Sequence, residues 1–132
     1  MHIVSFYAAC LALLYMVLTF RTIFLRGKFK RALGDGNHEP LQRAIRVHAN
    51  FNEYVPLGLV LLFLLAAHQA SAYMLHGLGA ALLVGRLLHA LGVSRSPEPL
   101  ILRQVGMVLT AGSILVSAGN LVLFFMAGAA QP

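Results

Sequence analysis

The chain has 132 residues, 59% hydrophobic and only 11% charged, with no Trp and a formal net charge of +6 from ten Lys and Arg against four Asp and Glu. Soluble domains carry about 25% charged residues, so a soluble single domain is excluded, and four spans of ~20 apolar residues leave only short loops and no second domain. The positive excess, which in a soluble protein would point to nucleic acid, is better explained by the membrane, and no nucleic-acid partner is expected.

The first apolar run, residues 3–20, is uncharged, and residues 22–25 lengthen it past Arg21 into an expected helix over 3–25. A cleaved signal peptide has a basic region ahead of its apolar core. Here only His2 precedes the run and the basic residues follow it, so the segment reads as a retained span. Cys10 is the single cysteine and lies within this run, which excludes a disulfide framework and a thiol zinc motif; no metal site is expected. The basic connection that follows holds Gly34-Asp35-Gly36-Asn37, a turn signal because Gly and Asn tolerate positive φ.

Residues 54–85 contain no Asp, Glu, Lys or Arg, 32 positions in all, too many for one span. His68-Gln69-Ala70-Ser71 is the most polar stretch within them, so a reversal is expected there between a second helix over 44–67 and a third over 73–91. A fourth is expected over 103–128. With these spans every Lys and Arg falls in or beside the first and third connections, which lie on one side. The positive-inside rule then puts those loops in the cytoplasm and both termini outside. The expected fold class is all-α: an integral membrane four-helix bundle forming one domain over 1–132.

Within helix two, Arg43, Arg46, Asn50 and Glu53 recur at spacings of 3, 4 and 3, the pattern of a shared helix face. A charge near mid-bilayer costs about 2.5–3.5 kcal/mol on insertion scales, so such a stripe must face protein or water. Arg86 and His89 on helix three and Arg103 with Gln104 on helix four sit at the same level. They are expected to complete a ring of donors around Glu53, suited to a small anionic ligand that also carries an ammonium group. The plainer reading is a polar network fixing helix register, with Arg86 neutralising Glu53, or arginines that snorkel to the interface. Three to four positive charges against one carboxylate favour an anion. Gly77, Ala81 and Gly85, and the small or polar stripe Gly106, Thr110, Ser113, Ser117 and Asn120, read as packing seams.

The segment from Arg43 to Pro56, RAIRVHANFNEYVP, resembles the second-helix signature of the MAPEG family, the membrane-associated proteins of eicosanoid and glutathione metabolism. The resemblance extends to the basic loop after helix one, to Arg86 and His89, and to Arg103, covering nearly the whole chain. It implies a homotrimer that binds glutathione between subunits near the cytoplasmic side. Arg46, Asn50, Glu53 and Tyr54 match family residues that hold glutathione. His48 stands where a polar residue assists, Arg26 matches a binding Arg after helix one, and Arg86 and His89 fall at the helix-three end of the site. Arg103 matches the Arg beside the thiol, where a cation favours the nucleophilic thiolate.

The sequence departs from the family pattern at Val93, where several relatives have Tyr, and at Gln104 and Met107, where the prostaglandin synthase branch has Ser and Tyr. Compact length and the Gly-Asp-Gly loop look more like bacterial members, implying a bacterial inner membrane. The expected function is glutathione transfer to, or peroxidase-like reduction of, lipophilic electrophiles dissolved in the lipid. The alternatives are a catalytically silent scaffold of the same fold and a small proton-coupled transporter, against which the arginines near Glu53 weigh.

Overall fold

The computed structural model describes residues 1–129, which form four helices: α1 (His2–Phe29), α2 (Glu39–Ala67), α3 (Ala72–Val93) and α4 (Leu100–Ala129). All four are long and apolar enough to cross a membrane. Each extends further than hydropathy indicates, because charge stops a hydrophobic run without stopping helical hydrogen bonding. Thus α1 continues through Arg26 and Lys28 and ends only where Lys30 turns left-handed at φ 51°. Similarly, α2 starts at Glu39, five residues before the expected start at Ala44, with Pro40 in its first turn, where a missing N–H costs nothing. The reversal falls where the polar tetrapeptide places it, between Ala67 and Ala72, and Ser71 caps α3 by accepting from the Met74 N–H at 3.3 Å.

Helices α2 and α3 are central: each packs against every other helix, whereas α1 and α4 flank them without touching. The buried positions of α2, from Leu41 through Ala44, Val47, Phe51, Val55 and Gly58 to Leu62 and Leu65, follow steps of three and four and form one face. The seam of α4 on α3 is made by Gly106, Thr110, Ser113 and Ser117, the last three fully buried. Gly85 and Gly106 allow backbone-to-backbone approach: a Cβ on Gly106 would lie 2.6 Å from the Gly85 carbonyl oxygen. Gly77 lies in open space, so the helix-three repeat of small residues is not one continuous seam. Phe20, Phe24, Leu115 and Phe125 are among many large apolar side chains left on the outer surface, as expected where lipid rather than water is the solvent.

The first and third connections meet at one end of the bundle. Arg21 on α1 hydrogen-bonds Ser94, and Arg43 on α2 donates to the Val93 carbonyl at 3.1 Å. At the opposite end the Tyr7 hydroxyl pairs with His76 Nδ1 at 3.2 Å and His68 stacks on Phe124. Every Lys and Arg therefore lies at or toward the end with the first and third connections.

Candidate functional site

At that basic end a cleft of about 520 Å³ opens between α2, the end of α3 and the start of α4, lined by Arg43, Arg46, Asn50, His89, Glu98 and Arg103 among others. Its size lies within the ~300–1,000 Å³ usual for small-molecule sites. Three of the expected residues on different helices, Asn50, His89 and Arg103, thus converge with Arg46. His89 is buried to 6% exposure and contributes to the cleft wall.

Arg86 lies beneath the cleft, 2% exposed, and its guanidinium meets neutral acceptors: Asn50 Oδ1 at 2.6 Å, Thr110 Oγ1 at 2.9 Å and Met107 Sδ at 3.4 Å. The Tyr54 ring covers its cationic face, with the ring centroid 5.3 Å from Cζ. Among the described residues no carboxylate pairs with it. Glu53 is exposed on the outer side of α2 and, among the described residues, accepts a hydrogen bond only from the Asn50 amide, at 3.5 Å. The expected ring of arginines around Glu53, and its neutralisation by Arg86, are therefore both corrected. At 100° per residue Glu53 lies only about 20° around α2 from Arg46 but seven residues, roughly 10 Å, further along the axis. Arg43 and Asn50 turn inward, whereas Glu53 shares the exposed face of Arg46 and lies past the level of the cleft.

The charge balance of the cleft also differs from the expected surplus over one carboxylate. Glu39 pairs with Arg43 at 2.8 Å, and Glu98 bridges Arg43 at 3.3 Å and Arg103 at 3.2 Å. Ser96 donates to Glu39 at 3.2 Å, fastening the third connection to the start of α2. Arg46 has no ion pair among the described residues. Three arginines, two carboxylates, two amides and an imidazole make a lining of mixed charge, suited to a zwitterion bearing more than one carboxylate.

Sequence reasoning missed Glu39 and Glu98. Glu39 sits one turn before Arg43, so a helix started at Glu39 would have put it on the same face. Glu98 lies in a connection and carries no periodic signal. Replacing Glu98 by Gln is expected to cost about 1 kcal/mol or somewhat more, since exposed ion pairs are worth up to about 1 kcal/mol and this carboxylate is only 20% exposed. The variant leaves Arg43 paired with Glu39 but frees Arg103 and should tighten binding of an anionic ligand, read as a larger ligand-induced rise in Tm at fixed salt; weaker binding would contradict this.

The structure does not bring Arg26 and His48 into this cleft. Arg26 donates from Nη1 to the carbonyls of Ala32 at 2.9 Å and Gly34 at 3.2 Å, holding the first connection. His48 faces α1, pairing with Thr19 Oγ1 at 3.0 Å and lying against the Tyr15 ring. Five residues beyond Arg43 the helix has turned by about 140°, which explains the separation.

Comparison with known proteins gives one family. The model of the MAPEG family matches residues 4–129. The Inner membrane protein YecN of Escherichia coli (strain K12) is 41% identical over 88 residues, 67% of this chain and 67% of that protein. The protein of the same name from E. coli O6:H1 matches to the same extent. No solved structure gives a significant match.

Proposed function

The chain belongs to the MAPEG family, and from that premise we propose that its basic cleft binds glutathione and delivers the thiol to lipophilic electrophiles held in the surrounding lipid. The observation that carries the reading is the mixed-charge lining: glutathione offers two carboxylates, one ammonium group and a thiol, and the cleft offers three arginines against two carboxylates. Arg46 and Arg43 would take the carboxylates, Glu39 the ammonium group, and Asn50 an amide of the peptide. Arg86 acts as a positioning residue, since its bond to Asn50 Oδ1 leaves the Asn50 N–H groups to face outward. Arg26, His48 and Glu53 would reach the ligand only from a neighbouring subunit, which the homotrimer implied by the family would supply.

Arg103 is half-exposed at the start of α4, and its guanidinium would favour the thiolate over the thiol. Attack on an electrophilic carbon forms the S–C bond, and the electron pair leaves with the departing group or onto the opened ring oxygen. With a lipid hydroperoxide, two glutathione thiols become a disulfide and the hydroperoxide becomes an alcohol and water. By analogy with its relatives named as inner membrane proteins, the chain would reside in a bacterial inner membrane, with the basic end cytoplasmic and both termini outside by the positive-inside rule.

A silent scaffold is the second reading. Met107 favours it, because at the position of the family Tyr its sulfur is occupied as an acceptor for Arg86. The test is thermal unfolding of the detergent-solubilised protein with millimolar glutathione. A rise in Tm that is lost in Arg46→Ala is the expected result, and no shift in the parent protein overturns the ligand assignment. Ultraviolet absorbance of a bound thiolate, lost in Arg103→Ala, supports the enzyme; its absence from a binding-competent parent supports the scaffold.

A further inference from the structure

The third connection carries Glu98 into the wall of the cleft, and among the described residues its carboxylate hydrogen-bonds two side chains only. Oε2 accepts from Arg43 on α2 at 3.3 Å, and Oε1 accepts from Arg103 on α4 at 3.2 Å. The connection itself is fastened by other bonds: Ser96 donates to Glu39, and Arg43 donates to the Val93 carbonyl. The Glu98 side chain is 20% exposed and that of Arg103 52%, so the carboxylate can rotate into water while the backbone stays in place. Ion pairs this close to water are weak enough for a competing charge to displace.

Both partners of Glu98 are arginines that a ligand needs. In an α-amino acid head group the ammonium and the carboxylate share one carbon, and Glu39 and Arg43 are themselves a pair at 2.8 Å. An ammonium at Glu39 therefore sets the adjacent carboxylate against Arg43, where the Glu98 carboxylate now lies. The second carboxylate of the ligand is left for Arg46, which has no ion pair among the described residues. That one carboxylate bridges Arg43 and Arg103 also places the two guanidiniums within reach of a single small ligand.

We propose that Glu98 stands in for a ligand carboxylate: it keeps Arg103 neutralised until the carboxylate of an α-amino acid head group replaces it at Arg43, so the cleft ionises only thiols that carry such a head group. The inference rests on the glutathione reading of the cleft and names the part of the ligand that selects. The incoming carboxylate repels Glu98 and takes one of its two anchors, and the side chain turns out to water. Arg103 is then unpaired; the thiol proton passes to water at the mouth of the cleft and the sulfur anion stays beside the guanidinium. A thiol without the head group leaves Glu98 on Arg103, and a neutralised pair gives the sulfur no such help.

The test is ultraviolet titration of bound thiolate on the full chain in detergent, with three peptides at saturation. They are glutathione, 4-aminobutyryl-cysteinylglycine, which lacks only the glutamyl α-carboxylate, and glutathione esterified at its glycine. In the parent, glutathione and its glycyl ester are expected to show a thiolate-to-thiol ratio at least about tenfold above that of the aminobutyryl peptide, since a nearby opposite charge shifts a pKa by about 1–3 units. In water the missing carboxylate makes a thiol more acidic, not less, so the peptides alone cannot give this order. Glu98→Gln should bring the aminobutyryl peptide level with glutathione or above it. Equal ionisation of bound peptides in the parent overturns this proposal alone, as does the parent's gap persisting in Glu98→Gln or, should that variant not fold, in Glu98→Ala. An aminobutyryl peptide that fails to bind where glutathione binds also overturns it, because selection would then lie in binding and not in ionisation. No rise in Tm with any of the three removes the glutathione reading and this inference together.

Discussion

Arg86→Met is expected to leave the ligand-free protein at least as stable as the parent while weakening glutathione binding tenfold to a hundredfold. Burying a guanidinium costs several kcal/mol in desolvation unless a counter-ion is present, and at Arg86 the partners are an amide, a hydroxyl, a thioether and an aromatic ring. Met is of similar length and carries no charge. Its introduction orphans little: Thr110 keeps its bond to the Gly106 carbonyl at 2.9 Å, and Asn50 faces the cleft, where water reaches it. Replacement of buried ionic groups by apolar ones of similar volume is often neutral or stabilising by about 1–4 kcal/mol. Binding responds in the opposite direction, because Asn50 loses the 2.6 Å bond that orients it and the cleft loses the cation beneath its floor. Hydrogen bonds involving a charged partner are worth about 1.5–3 kcal/mol, which sets the expected loss. Thermal unfolding with and without glutathione checks both halves. A Tm well below that of the parent without ligand would make Arg86 a structural residue, and a parent-like ligand shift would remove it from the site.

The opposed signs matter because they separate two reasons for having a buried arginine. A register-fixing residue would lower stability when removed, whether or not a ligand is added. A residue kept for binding is carried at a cost in the empty protein, and the ligand's anionic groups offset that cost.

The four spans were legible in the sequence because hydropathy reports what lipid demands: residues 54–85 could not be a single span, and the polar tetrapeptide at 68–71 was the one place to turn. Helix ends were less legible, since a charge at the interface ends a hydrophobic run but not a hydrogen-bond ladder, as Arg26 and Lys28 in α1 demonstrate. In the site, the i, i+3, i+4 rule correctly grouped Arg43, Arg46 and Asn50 at one end of the bundle. It failed for Glu53, which shares the exposed face of Arg46 but lies about two turns, roughly 10 Å, further along the axis and past the cleft. It was silent on Glu98, whose place between Arg43 and Arg103 is set by a connection rather than by helical spacing. The surplus of positive charge read from the spacing was consequently too large, although an anionic ligand that also carries an ammonium group still suits the mixed lining.

The cleft depends on how closely α3 and α4 approach, and Gly106→Ala is expected to destabilise the protein by about 3 kcal/mol or more and to abolish ligand binding. A Cβ at Gly106 would lie 2.6 Å from both the Gly85 carbonyl oxygen and the His89 backbone nitrogen, and 3.0 Å from His89 Cα. These are backbone atoms, unable to rotate aside as a flexible side chain would. Overpacking of close contacts typically costs about 1–3 kcal/mol, occasionally more, and here two helices must separate along the seam that also carries the Arg86 bond to Thr110. Separation would pull His89 on α3 away from Arg103 on α4. Gly77→Ala and Gly112→Ala supply the controls, because a Cβ at either meets nothing within 4 Å. Since Ala is the better helix former by about 0.5–1 kcal/mol, those variants should unfold at or above the parent temperature. Thermal unfolding of the three variants in the same detergent, with glutathione added in parallel, measures the difference. Equal behaviour of Gly106→Ala and Gly77→Ala would show that the α3–α4 contact does not build the cleft, whereas a selective loss at Gly106 ties the site to the closeness of two backbones.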